Sequence, residues 1–122
     1  MFEQDVVSVV APGVEGYFGI LRGRAPLLAE LGLGIMKVTP PDGVVRPVAM
    51  TGGVLECSES GVLVLADSAE RSDDIDIQRA EVAADRARQR LAQAHDPDGL
   101  DSDRARAALI RALNRLKAAE RG

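Results

Sequence analysis

The sequence predicts a β domain followed by an antiparallel pair of helices. Three observations carry that reading. Composition changes near Asp67, from Val, Gly and Pro to Ala, Arg, Asp and Leu. The first part breaks into short apolar runs separated by turn residues, as strands do. The second part holds two matched alanine-rich stripes at helical spacing, joined by a short turn-rich loop. With 122 residues the chain suits one domain, or one small domain with an appendage, and the division falls at 1–70 and 71–122.

In order, strands are expected at residues 5–10, 18–21, 34–39, 44–50, 54–58 and 62–66. Val and Ile dominate them, and β-branched residues suit a pleated, half-buried surface. The first part is organised around residues 11–28, which contain Gly13, Gly16, Gly19 and Gly23 with Pro12 and Pro26 near the ends. That stretch reads as a loop, a short strand, a second loop and a buried Leu27-Leu28 pair. It presents Glu15, Tyr17, Arg22 and Arg24 at one end of the domain, and loops on a rigid scaffold are where binding residues concentrate. Pro40-Pro41-Asp42-Gly43 and Glu59-Ser60-Gly61 mark hairpin turns, and Gly52-Gly53 marks a bulge or tight bend. Pro47 belongs at an edge or bulge, because it cannot donate to a ladder. The pattern fits a small sandwich or flattened barrel.

The helices are expected at about 75–94 and 102–120. The first has the stripe Ile77, Ala80, Ala84, Ala87, Leu91 and Ala94; the second has Ala105, Leu109, Ala112, Leu116 and Ala119. Asp73, Asp74 and Asp76 stand where carboxylates complement a helix dipole. A seam made mostly of alanine lets two helices approach closely but buries little area, so the hairpin is held shut by a small margin.

Composition excludes several functions. Aromatics are 2% with no Trp, so bases have little to stack on, and nucleic acid is not an expected partner. No apolar run approaches the ~20 residues that span a bilayer, and the N-terminus lacks the pattern of a secretory leader. The single Cys57 allows no internal disulfide and reads as a small core residue. His95, the one histidine, stands at a helix end and has no partner for a catalytic set. The glycine-rich stretch lacks the Gly-Lys-Ser/Thr of a phosphate-binding loop. The acidic run from Asp67 has Ser72 and Gln78 where a calcium loop needs Gly and Glu. Neither catalytic residues nor a metal site are expected. The net charge is −4, yet residues 101–122 hold six basic side chains against three acids, a basic helix suited to an acidic protein surface.

One constellation carries ligand chemistry. Asp76, Arg79 and Arg86 share roughly one face of the first helix, and Arg111 and Arg115 stand at i, i+4 on the second. Closing the hairpin brings guanidinium groups together, and such a cluster suits a phosphate. From the pattern alone, a solvated Arg/Asp face of ordinary intrahelical pairs is the favoured reading, and the phosphate site is the alternative.

Residues 7–13 (VSVVAPG), Gly19-Ile20-Leu21 through Ala25-Pro26-Leu27-Leu28, Gly52-Gly53-Val54-Leu55-Glu56 and residues 64–71 (VLADSAER) occur in the order seen in a known family. Over nearly its whole length the chain resembles the epsilon subunit of F-type ATP synthase, called delta in mitochondria. The resemblance implies a flattened β-sandwich followed by an αα-hairpin, in a non-catalytic subunit of the central stalk. It implies that the sandwich binds the gamma subunit and the membrane c-ring, with Tyr17, Arg22 and Arg24 facing the ring. It further implies coupling of proton-driven rotation to ATP synthesis, and a hairpin that brakes hydrolysis by extending toward the catalytic alpha and beta subunits. The location implied is peripheral, on the cytoplasmic face of the membrane through the complex.

Ile75-Asp76-Ile77-Gln78-Arg79-Ala80 matches an ATP-binding motif of some bacterial members. By that resemblance Glu70, Ile75, Asp76, Arg79, Arg86, Arg111 and Arg115 form a regulatory ATP site; no cofactor is required, and whether Mg²⁺ accompanies the nucleotide stays open. Two departures stand out. Arg22 and Arg24 replace the family's usual Pro and His. A strand that usually precedes residues 5–10 is missing, which implies either a start further upstream or an uncovered sheet edge. Two rival functions remain: the same stalk subunit in a purely structural role, and a free-standing protein-binding adaptor.

Overall fold

The computed structural model describes residues 6–21, 26–93 and 99–121, the side chains of residues 21 and 121 excepted. Six antiparallel strands come first: β1 (Ser8–Gly13), β2 (Gly16–Leu21), β3 (Leu27–Leu31), β4 (Gly34–Thr39), β5 (Arg46–Ser58) and β6 (Gly61–Arg71). A single 3₁₀ turn at Ser72–Asp74 leads to α1 (Ile77–Gln93) and α2 (Leu100–Arg121). The order of a β part followed by a helical hairpin is as the sequence predicts.

β5 is the spine of the sheet. Its first half pairs with β4 (Gly34↔Met50 to Val38↔Arg46), and its second half pairs with β3 (Leu31↔Gly53 to Leu27↔Cys57). β6 lies along its other edge from Ser58↔Gly61 to Val48↔Arg71. The change of partner falls at Gly52 and Gly53, where the β5–β6 register shifts, so the expected bulge is present. Only glycine fits at Gly53. Its φ is +147°, and an added Cβ would collide with the Leu65 carbonyl and lie 2.8 Å from Ala66 Cα. Residues 44–50 and 54–58, expected as two strands, are therefore parts of one bulged strand, which begins at Arg46 rather than Val44. Pro47 opposes Lys37, just beyond the end of the β6 ladder, where a missing donor costs least.

β3 was not expected. Leu27 and Leu28 are strand residues rather than a buried pair, and Leu28 is 73% exposed. Strand alternation explains this: consecutive side chains point to opposite faces. β1 runs on through Pro12 to Gly13, and β6 runs on to Arg71, past the expected ends.

Two apolar clusters hold the molecule together. Val9, Ala11, Ile20, Leu31, Met36, Val48, Met50, Leu55 and Cys57 form the core of the β part. Ile35, Ala49, Ile75 and Ala118 form a second cluster beneath α2. Thus the first half of β5, with Gly34–Met36 of β4, is covered on both faces, which accounts for the unbroken buried run Pro47–Met50. In the hairpin, Ala80, Ala84 and Ala87 face Ala105 and Ala112, as the stripes predict. Ile77 departs from its stripe and is 51% exposed, whereas Ile75, ahead of the helix, is buried in the cluster beneath α2.

Candidate functional site: an arginine cleft between hairpin and sheet

α1 begins where Asp76 caps it. The Asp76 carboxylate accepts the Arg79 backbone N–H at 3.1 Å, and its carbonyl accepts the Ala80 N–H at 3.0 Å. The first of these satisfies a donor that an uncapped helix start leaves orphaned. Of the acids expected at the helix start, Asp73 and Asp74 belong instead to the 3₁₀ turn before it.

α2 is seated on the sheet by three kinds of contact. Ala118 is fully buried against Ile35, Ala49 and Ile75. Asn114 Nδ2 donates to the carbonyl of Gly34 at 2.9 Å and lies 3.4 Å from that of Met50, spanning one rung of the β4–β5 ladder. Arg115 donates from Nε and Nη2 to the two carboxylate oxygens of Glu70, at 2.7 and 3.2 Å. Both side chains of that pair are 32% exposed. It links sheet to hairpin across 45 positions of sequence, whereas pairs such as Arg88–Asp85 and Arg106–Asp103 join neighbours three positions apart on one helix.

Between these elements is an open cleft of about 490 Å³. Its walls are Ala49, Met50 and Thr51 of β5, Ser68, Ala69 and Glu70 of β6, Ala83 of α1, and Ala108, Arg111, Ala112, Asn114 and Arg115 of α2. The volume lies within the range of small-molecule sites, ~300–1,000 Å³. Of the sequence-predicted ATP residues, Glu70, Arg111 and Arg115 line it directly. Arg79 and Arg86 are exposed on α1 at i−4 and i+3 from Ala83, the helix-surface positions beside that wall residue. Ile75 is buried beneath α2, and Asp76 caps α1; neither lines the cleft.

The electrostatics are one-sided. Glu70 is the one carboxylate in the lining, against two arginines there and two more beside Ala83. Glu70 engages Nε and Nη2 of Arg115 and leaves donors on Nη1. Arg111, Arg79 and Arg86 form no salt bridge among the described residues. Such an arrangement can hold a phosphate by forked, charge-assisted bonds.

Tyr17 lies on β2 at the opposite edge of β1, with 61% of its surface exposed and its hydroxyl accepting the Ile35 backbone N–H at 3.0 Å. Arg22 and Arg24, and His95, fall outside the described residues. Sequence reasoning missed Asn114 and Ala118. Their spacing gives a hint, since they form an i, i+4 pair offset from the hairpin stripe.

Known proteins match this architecture. A family profile described as the ATP synthase delta/epsilon chain β-sandwich domain matches residues 1–72, and the long α-helix domain of the same chain matches residues 73–120. The chain belongs to the ATP synthase delta/epsilon chain family. Among its relatives, the ATP synthase epsilon chain of Moorella thermoacetica is 44% identical over 98% of this chain and 87% of its own length. That of Desulforamulus reducens is 44% identical over 98% and 89%. The fold is similar to a chain of the Euglena gracilis mitochondrial ATP synthase, in a structure of OSCP, F1 and c-ring. The TM-score is 0.76 at 24% identity, over 94% of this chain and 70% of that one. No helix among the described residues of this family member is long and apolar enough to cross a membrane.

Proposed function

We propose that this epsilon chain is a non-catalytic subunit of the ATP synthase central stalk, whose helical hairpin senses ATP and restrains hydrolysis when it opens. The observation that carries the proposal is the cleft between hairpin and sheet, with Arg111 and Arg115 in its wall and Arg79 and Arg86 beside it. The sandwich anchors the chain to gamma and the c-ring, and holds it at the cytoplasmic face of the membrane through the complex.

In the closed state ATP sits against α2, its phosphates neutralising arginines that otherwise repel one another. Arg111 and Arg115 hold phosphate oxygens. Asp76 orders the first turn of α1 and so fixes where Arg79 points. The cleft has walls on α1, α2 and the sheet, so a ligand in it prefers the docked hairpin. That preference sets the limit of the population shift ATP can drive. Without ATP the alanine seam and the few docking contacts hold the hairpin alone, and the basic α2 is released toward acidic surfaces of the catalytic subunits.

The Glu70–Arg115 pair favours a second reading, in which the arginines serve structure only. Titration of ATP into the full chain, followed by amide NMR, separates the two. Saturable shifts confined to residues 70–119, lost with Arg79→Ala, are expected of a sensor. A flat titration at millimolar ATP leaves the structural reading.

A further inference from the structure

One peptide unit, Gly34–Ile35, receives side chains from two distant parts of the chain. Its carbonyl accepts from Asn114 Nδ2 on α2 at 2.9 Å. Its N–H donates to the Tyr17 hydroxyl on β2 at 3.0 Å. The strand order explains why a tyrosine is needed there. β1 pairs with β4 from Ser8↔Thr39 to Val10↔Lys37. Continuing that register sets Pro12 opposite Ile35, but β1 has by then turned to β3: the Pro12 carbonyl accepts from Gly32 at 2.8 Å, and Gly13 pairs with Leu31. The Tyr17 hydroxyl supplies the acceptor that β1 does not.

The fit is tight. A Cβ on Gly34 would come within 2.5 Å of the Tyr17 hydroxyl and 2.6 Å of Pro12 Cβ. Ile35 contributes a second link, since its side chain belongs to the cluster that seats Ala118 of α2.

We infer that docking of the hairpin and placement of the Tyr17 ring are coupled through the Gly34–Ile35 peptide, with Asn114 as the positioning residue on the hairpin side. Both hydrogen bonds require the same orientation of one peptide plane. A donor on the carbonyl also polarises the N–H of the same amide, so each bond strengthens the other. The coupling is reciprocal. A partner that seats on the exposed Tyr17 ring and leaves its hydroxyl in place favours the docked hairpin, and one that draws the hydroxyl away releases it. The link involves no nucleotide, so it stands or falls separately from the ATP reading.

The test uses the full chain, without nucleotide, carrying Ala118→Cys. Maleimide labelling is resolved by site with mass spectrometry. The introduced thiol reports undocking of α2, and the native Cys57, buried in the sandwich core, reports opening of the sandwich. Losing the bond to the Gly34 carbonyl and the longer one to Met50 predicts that Asn114→Ala speeds labelling at position 118 about three- to tenfold. Tyr17→Phe is expected to speed it about two- to threefold when Asn114 is present and distinctly less in the Asn114→Ala background, where only the Ile35 side-chain link remains. Cys57 labelling stays constant throughout. An equal effect of Tyr17→Phe in both backgrounds, no effect in either, or a parallel rise at Cys57 overturns the inference. If Ala118→Cys does not fold, hydrogen exchange at the Ile35 amide replaces it. Severalfold faster exchange in Asn114→Ala supports the coupling, and unchanged exchange refutes it.

Discussion

Alanine at Glu70, at Arg115 and at both positions would measure how firmly α2 is tied to β6. At about 3 Å, two unit charges attract by roughly 5 kcal/mol at an effective dielectric near 20, and by about 1.4 kcal/mol in bulk water. Each partner keeps a third of its side chain in solvent, so screening, desolvation and side-chain ordering remove most of that gain. The two-bond fork holds the pair above an ordinary surface bridge. A net coupling of about 1 kcal/mol results, roughly a fivefold bias toward the docked hairpin. Urea unfolding of the four nucleotide-free proteins, followed by far-ultraviolet circular dichroism, gives the coupling as the non-additive part of the cycle. It should shrink at ~1 M salt, where the screening length falls to about 3 Å. Additive effects, with coupling within about 0.3 kcal/mol of zero, would show that the two side chains do not share this bond in solution.

Substitutions at two other positions test the frame around the cleft. Gly53→Ala meets both a positive φ and the Leu65 carbonyl, so a loss of about 2 kcal/mol or more is expected, seen as a fall in Tm of several degrees. An unchanged Tm would mean that the bulge adapts freely. Asp76→Ala removes the α1 cap and should cost about 1 kcal/mol without nucleotide, whereas Asp76→Asn keeps the cap to within a few tenths. Hydrogen exchange in the first turn of α1 distinguishes them, and equal protection in both variants would contradict the capping role.

The strands and helices were legible where local pattern and burial agree. Ala80, Ala84 and Ala87 are buried because their spacing follows the helical period and nothing competes for that face. Gly52 and Gly53 were legible as a bend because few other residues tolerate the backbone they adopt. Leu28 misled because two adjacent leucines suggest burial, whereas β3 places them on opposite faces of the sheet. Ile77 misled because periodicity does not say where a helix begins relative to its partner.

The candidate site was partly legible. Glu70, Arg111 and Arg115 were marked by the resemblance, and the fold brings them into one cleft across 45 positions of sequence. That Arg115 is held by Glu70 was not legible, since a contact between β6 and α2 depends on how the hairpin folds back. Asn114 and Ala118 were missed for the same reason: the second face of α2 has meaning only once there is a sheet beneath it.

By itself the sequence determined the order of β part and α part, the alanine seam, the bulge and the family, because each depends on spacing between near neighbours or on motifs in linear order. Only the tertiary structure decided which strands pair, that β5 is continuous, that α2 is buried on two faces, and that Tyr17 and Asn114 meet at one peptide. Those contacts join residues dozens of positions apart. Their energies depend on where two elements lie relative to each other, a quantity that no local pattern encodes.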